Sequence, residues 1–255
     1  MKVLVTGGAG FIGSHVVDAL CAGGNKVIVV DSLDPGVFRS APNYLNPEAE
    51  YCFVDLRNWS PDNRFDDVEG IVHLAALGGV SRAAKEPDNI ISANCGGTAR
   101  LLRFAREWKM VSKFVLAGSF SIYGSGYRYA CHRCNVVQDA TRSDSDLLAG
   151  RYEVSCRHCG NPCDVLPITS DANPAPLEIY AASKYMQELC LLGFSCDVTI
   201  LRFSSVYGTR LRLDDGEATI IAKLAGWIRN GESPRDAIRV AVMHWIDMLG
   251  SEGKA

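Results

Sequence analysis

The sequence predicts an α/β fold built on a doubly wound parallel sheet, and three observations carry that prediction. Short apolar, β-branched runs alternate with segments of helical spacing along most of the chain. The first run stops at a glycine cluster that opens the first helical segment. The second run ends on a carboxylate, Asp31.

Residues 3–6 form the first strand, and residues 11–21 a helix with Ile12, Val16, Val17 and Leu20 on one stripe. Residues 26–30 are a second buried strand, followed by a loop rich in Pro, Asn, Asp and Gly. Strands are expected at 51–54, 70–74, 113–118 and 198–203, and helices at 90–108, 179–192 and 218–230. Strands separated by helices require right-handed crossovers, hence a mostly parallel sheet. Residues 126–176 break the rhythm with a connection far longer than usual. Residues 240–249 place Val242, Trp245, Ile246 and Leu249 on one stripe and are expected to be helical.

Totals narrow the function. The chain has 255 residues, 47% hydrophobic and 22% charged, the composition of an ordinary globular protein. A net charge of −3 offers no global field for nucleic acid or an anionic membrane. No apolar run is long enough for a membrane span, and the N-terminus lacks the features of a signal peptide. A cytoplasmic location is therefore expected, with the ten cysteines reduced.

The motif Gly7-Gly8-Ala9-Gly10-Phe11-Ile12-Gly13 lies between a strand and a helix, the context of a dinucleotide turn. Gly7 permits the sharp turn, Gly10 lets the backbone approach a pyrophosphate, and Gly13 lets the helix pack close to the strand. Phe11 and Ile12 open that helix, whose free N–H groups and dipole favour phosphate. Asp31 is placed to accept both ribose hydroxyls and would repel a 2′-phosphate, so NAD is expected over NADP.

Tyr180-Ala-Ala-Ser-Lys184 starts a helix, and its i, i+4 spacing stacks phenol and ammonium on one face. The ammonium is expected to lower the phenol's pKa, letting a tyrosinate exist near neutral pH. Ser119 ends a strand and can hydrogen-bond a substrate oxygen.

The chain resembles the extended short-chain dehydrogenases/reductases, within the NAD-dependent nucleotide-sugar epimerase/dehydratase family. The residues carrying the resemblance are TGGAGFIG, Asp31, Asp55-Leu56, His73-Leu74-Ala75-Ala76, Asn94 with Gly96-Gly97-Thr98, Ser119, YAASK and Arg202-Phe203…Val206-Tyr207-Gly208. It implies a Rossmann-type fold in residues 1–203 and Ser119, Tyr180 and Lys184 as catalytic residues. It further implies that Asp55 and Leu56 contact the adenine, that Ala75 and Ala76 line the cleft, and that Asn94, Tyr180 and Lys184 belong to the cofactor site. His73 is read as a packed core residue. Dehydratases and decarboxylases of the family carry an acidic residue just after the serine or threonine, where this chain has Phe120 and Ser121. Elimination leaves C4 epimerisation through a 4-keto sugar, with a reductase or dehydrogenase, or a non-catalytic NAD- and zinc-binding protein, as alternatives. Members commonly pair through the helices here at 90–108 and 179–192, which implies a homodimer.

Cys131-x₂-Cys134 and Cys156-x₂-Cys159 are two knuckles with zinc-ribbon-like spacing inside the long connection. Four thiolates form a closed tetrahedral site, so structural zinc is expected; Cys163, His132 or His158 could replace a ligand. The arginines nearby are interleaved with carboxylates, which argues against nucleic acid. Residues 127–176 are thus expected to be a zinc-ribbon-like subdomain flanking the active site, as a lid or a wall of the sugar pocket. Its position resembles that in the dTDP-L-rhamnose 4-epimerase subgroup. Residues 204–255 are expected to be a shortened or degenerate substrate-binding region, with Ser205 where the family usually has asparagine.

Overall fold

The computed structural model describes residues 1–38, 40–124, 126–140, 143–211 and 220–233. From the N-terminus, β1 (Lys2–Thr6) leads through α1 (Phe11–Ala22) to β2 (Lys26–Asp31), and β3 (Glu50–Phe53) and β4 (Gly70–His73) follow. Next come α2 (Val80–Lys85), α3 (Pro87–Ile91), a π turn (Ser92–Gly96), α4 (Gly97–Ala105) and β5 (Lys113–Ser119). The long connection holds β6 (Arg128–Ala130), β7 (Val137–Asp139), α5 (Asp144–Leu148) and β8 (Asp164–Val165). The chain returns through α6 (Ile179–Cys190), β9 (Asp197–Phe203) and α7 (Ile220–Arg229).

The main sheet has the order β3-β2-β1-β4-β5-β9, and every pairing is parallel. Its central strands are apolar on both faces because helices cover both. Alternate residues therefore enter two cores. Leu4, Ile28, Ile71, Phe114 and Leu116 join Trp59, Phe65, Leu101 and Trp108 in one. Val3, Val5, Val27 and Val29 meet Val17 of α1 in the other. The order reverses between β1 and β4, so the carboxyl ends of these strands bound a crevice.

Two expectations need correction. The helix predicted over 90–108 is α3, the π turn and α4, starting at Pro87 and closing at Ala105. The extra residue of the π turn lets Asn94 turn inward and bond the loop after β4. The long connection is not all loop: β7-β6-β8 form a small antiparallel sheet. α2 had no predicted counterpart. The helix predicted over 240–249 lies outside the described residues, and of the one predicted over 218–230 the described part is α7.

Candidate active site and cysteine centre

The crevice is lined by Gly7, Gly10, Phe11, Ile12, Gly13, Asp31, Asp55, Leu56, Ala75 and Ala76, all expected from the sequence. Gly7 has φ +71°, and a Cβ there would lie 2.7 Å from the Ala75 nitrogen. A Cβ on Gly13 would lie 2.1 Å from the Gly7 carbonyl oxygen, so only glycine lets α1 start this close to the turn. At Gly10 the nearest atom is Gly7 O at 3.3 Å, which leaves the crevice side open. Gly8 was missed: a Cβ there would run into the Val29 side chain at 2.6 Å.

Asp31 accepts the Ala9 N–H at 3.0 Å and the Leu33 N–H at 2.9 Å. Burial raises its pKa, and those two N–H bonds oppose the rise. A carboxylate has lone pairs to spare, so Asp31 can also accept ribose hydroxyls from its place in the crevice. Asp55 is gripped by Arg57, whose Nε lies 3.1 and 3.0 Å from its two oxygens; this hydrogen bonding lowers the Asp55 pKa. Arg57, also in the crevice wall, reaches Asn89 at 2.8 Å. No motif in the sequence marks Arg57.

Glycine cradle, first-turn amides of α1 and a carboxylate ending β2 together fit a dinucleotide carrying free ribose hydroxyls. The fit rests on the shape of the turn: Cβ atoms at Gly7 or Gly13 would fill it.

Ser119 closes β5, and its Oγ accepts the Ser121 N–H at 3.2 Å and lies 2.8 Å from Ser121 Oγ. Tyr180 enters α6 behind the cap Glu178, which accepts the Tyr180 and Ala181 N–H groups. Its ring packs against the cluster of Leu77, Ala83 and Ile90, of which Leu77 lines the crevice. Ser119 lies two residues beyond Ala117 on β5, and Ala117 and Leu77 line the crevice. Ser119 and Tyr180 therefore stand beside that end of the crevice rather than in its lining, as does Lys184. Burial raises the Tyr180 phenol, and a hydrogen bond with Ser119 lowers it. Lys184 is buried and held down to about 8 by desolvation. Its ammonium donates to Gln187 Oε1 at 2.6 Å. The net direction of the phenol is upward, opposite to the lowering expected from the ammonium, with Ser119 opposing part of the rise from burial.

Asn94 stands behind the crevice rather than in its lining. Its Oδ1 accepts the Leu77 N–H at 2.7 Å, and its Nδ2 donates to Leu77 O at 3.0 Å and Ser183 Oγ at 2.9 Å. With both amide hydrogens spent, it braces the loop that carries Ala75 and Ala76. His73 is a core residue, as expected, in a chain of Thr6, His73, Thr98 and Gln187.

In the connection after Ser119, Cys131, Cys134, Cys156 and Cys159 bring their sulfurs within 4.8 Å of one another. The knuckles share one design. The Asn135 N–H bonds Cys131 O and the Gly160 N–H bonds Cys156 O, both at 2.9 Å. Asn135 and Gly160 take positive φ, 55° and 70°, turning the chain after the second cysteine. The Sγ separations are 3.5 Å for Cys131–Cys159 and Cys134–Cys156, and 3.7 Å for Cys134–Cys159. Zinc–sulfur bonds of about 2.3 Å give tetrahedral edges of about 3.8 Å, so the donor set fits zinc. Among the described residues the cluster consists of these four sulfurs, and Cys163, which packs beside Cys131 and Cys156, is not in it, nor is His132 or His158.

The connection is fastened to the active-site turn. Arg202 donates to Tyr123 Oη at 2.6 Å and to Ser170 O at 2.8 Å, and the Ala175 N–H bonds Ile122 O at 2.8 Å. Among the described residues no helix is long and apolar enough to cross a membrane.

Comparison with known proteins agrees with this architecture. A dTDP-L-rhamnose 4-epimerase of Burkholderia thailandensis is 30% identical over 87% of this chain and 62% of its own. The UDP-glucose 4-epimerase of Thermotoga maritima, solved with UDP-glucose, has a TM-score of 0.66 and 28% identity over 91% of this chain and 64% of its own. The UDP-glucuronic acid 4-epimerase of Bacillus cereus, solved with UDP-glucuronic acid and NAD, has a TM-score of 0.65 and 25% identity over 91% of this chain and 64% of its own. The chain spans less than two thirds of the length of these relatives. Residues 3–143 match the NAD dependent epimerase/dehydratase family, to which this chain belongs.

Proposed function

We propose that this chain contributes the NAD-binding and catalytic part of a nucleotide-sugar 4-epimerase, with dTDP-L-rhamnose as one substrate. The observation that carries the reading is a crevice walled by the glycine turn and Asp31, with Ser119 and Tyr180 beside its Leu77–Ala117 end. NAD, when bound there, supplies a hydride acceptor and the positive charge of its nicotinamide. The first-turn amides of α1 bind its phosphates and Asp31 orients its ribose. Ser119 holds the O4 oxygen of the sugar, and Tyr180 takes the O4 proton as the C4–H bond breaks and the C4 carbonyl forms. Return of the same hydrogen to the opposite face, with the proton handed back by Tyr180, inverts C4. Neither Phe120 nor Ser121 can move the second proton that elimination of water requires. The names of the relatives support 4-epimerisation, and the likeness to the Burkholderia enzyme supports a deoxythymidine diphosphate sugar.

The four cysteines hold structural zinc in this reading, and the subdomain at 127–176 walls the sugar pocket. The main domain is 1–203, the segment 204–255 belongs to substrate binding, and two copies pair through α3–α4 and α6. The test is incubation of the full chain with dTDP-L-rhamnose, UDP-glucose and UDP-galactose, followed by separation of C4 epimers. An epimer of at least one supports the reading, and none with NAD bound refutes it. Elemental analysis should find about one zinc per chain. A metal-free protein with an ordered 127–176 segment would remove the zinc.

A further inference from the structure

Gln187 sits one turn beyond Lys184 on α6, and the proposed chemistry does not use it. It is fully buried, as Lys184 nearly is. A buried ammonium needs an acceptor, since without one the charged form is penalised. Three other titratable groups act on or near Lys184: Glu188 on the same helix, Cys95 from the π turn, and His73 from β4. Glu188 is committed to Arg202, whose Nε and Nη2 donate to its two oxygens at 3.0 and 2.8 Å. The hydrogen bond from the ammonium goes to Gln187 Oε1 at 2.6 Å.

The surrounding network fixes which end of that amide faces the lysine. Thr98 donates its single hydroxyl hydrogen to the Asn94 carbonyl, 2.6 Å away, so towards other groups its oxygen is an acceptor. Gln187 Nε2 donates to that oxygen at 2.7 Å. His73 is neutral, pushed down to about 3 by burial. Its Nδ1 lies 2.6 Å from Thr6 Oγ1 and its Nε2 lies 2.8 Å from Thr98 Oγ1. With Thr6 donating to Nδ1, the Nε2–H points at Thr98. A flipped Gln187 amide would set NH₂ against NH₃⁺, so the ammonium decides the orientation, with Gln187 Nε2 also lying 3.3 Å from His73 Nε2. One orientation remains, with oxygen towards Lys184.

We propose that Gln187 is a positioning residue that pins the Lys184 ammonium by a neutral acceptor, wired through Thr98 and His73 to Thr6, the residue before the glycine turn. A neutral acceptor fixes the place of the ammonium without cancelling its charge, as a carboxylate there would. The proposal rests on the reading, implied by the family resemblance, that Lys184 is a catalytic residue of the NAD site.

The experiment follows Lys184 directly in the full chain labelled with ¹⁵Nζ-lysine, its resonance assigned by its loss in Lys184→Met. Gln187→Glu should raise the pH midpoint of Lys184 by more than one unit, and Gln187→Met should lower it by about one. In turnover, Gln187→Glu should move the acidic limb of the kcat profile to higher pH, and Gln187→Met the alkaline limb to lower pH. Unchanged midpoints in both variants, with circular dichroism as in the parent, would overturn the proposal. Gln187→Glu is nearly isosteric, so it remains testable if Gln187→Met does not fold. Shifted midpoints support the pinning even if no nucleotide sugar is turned over, a result that would count against the proposed function alone.

Discussion

Arg202 of β9 grips Glu188 of α6 with two nitrogens, and its third reaches Tyr123 and Ser170. One guanidinium thereby joins the last described strand of the sheet, the helix carrying Tyr180 and Lys184, the turn after Ser119, and the exit of the cysteine subdomain. Glu188 is 5% exposed and Arg202 23%, so this pair is sheltered from solvent screening.

Breaking it from one side is therefore costly. Arg202→Leu leaves a buried carboxylate unpaired and should destabilise the protein by about 3–5 kcal/mol in denaturant unfolding. The double variant Arg202→Leu/Glu188→Met removes both charges and should recover most of that loss. Equal stability of the single variant and the parent would show that the pair carries no structural weight.

Gly13→Ala tests the cradle. Its new methyl would sit 2.1 Å from Gly7 O and 2.7 Å from Gly8 Cα, both backbone atoms of the turn. Overpacking of this kind costs about 1–3 kcal/mol, and the displaced α1 amides should lose NAD. The check is a melting curve beside the absorbance of NAD retained through gel filtration. Retention equal to that of the parent would contradict the role given to Gly13.

His73 predicts an acid dependence. Its folded pKa is about 3 against 6.5 in the unfolded chain, chiefly through burial and further through the Lys184 ammonium. Between these values the unfolded state binds the extra proton, so the His73 contribution is present above pH 6.5 and is lost as pH falls towards 3. The slope reaches about 1.4 kcal/mol per pH unit at most. His73→Gln should unfold more easily at neutral pH yet show a shallower loss on acidification. An identical slope in parent and variant would mean that His73 is charged in the folded state.

Much of this was legible from particular residues. Val3, Val5, Val27 and Val29 announce strands because a doubly covered sheet is apolar on both faces, and the glycines of the first turn are explained by contacts they alone permit. Ser119 and Tyr180 were legible as a pair although 61 residues apart in number, since parallel strands put every carboxyl end at one edge. The network behind them was not. Thr6, His73, Thr98 and Gln187 come from four elements, and nothing in a one-dimensional pattern marks a polar side chain that will be buried. The i, i+3 spacing of Lys184 and Gln187 on a helix was the available signal. β6, β7 and β8 span only two or three residues each, too short for alternation to show. The π turn was hidden because the bond its Asn94 makes is to Leu77, in a different part of the chain.

The central claim is that the hydrogen at C4 of a nucleotide sugar leaves and returns while the protein holds its NAD. The measurement is turnover of dTDP-L-rhamnose carrying deuterium at C4, in ordinary water, with parent protein and Tyr180→Phe. The account predicts the C4 epimer with deuterium retained at C4, and a loss of at least about a hundredfold in Tyr180→Phe with NAD still bound. Epimer formed with deuterium washed out to solvent, or formed at the parent rate by Tyr180→Phe, would contradict it.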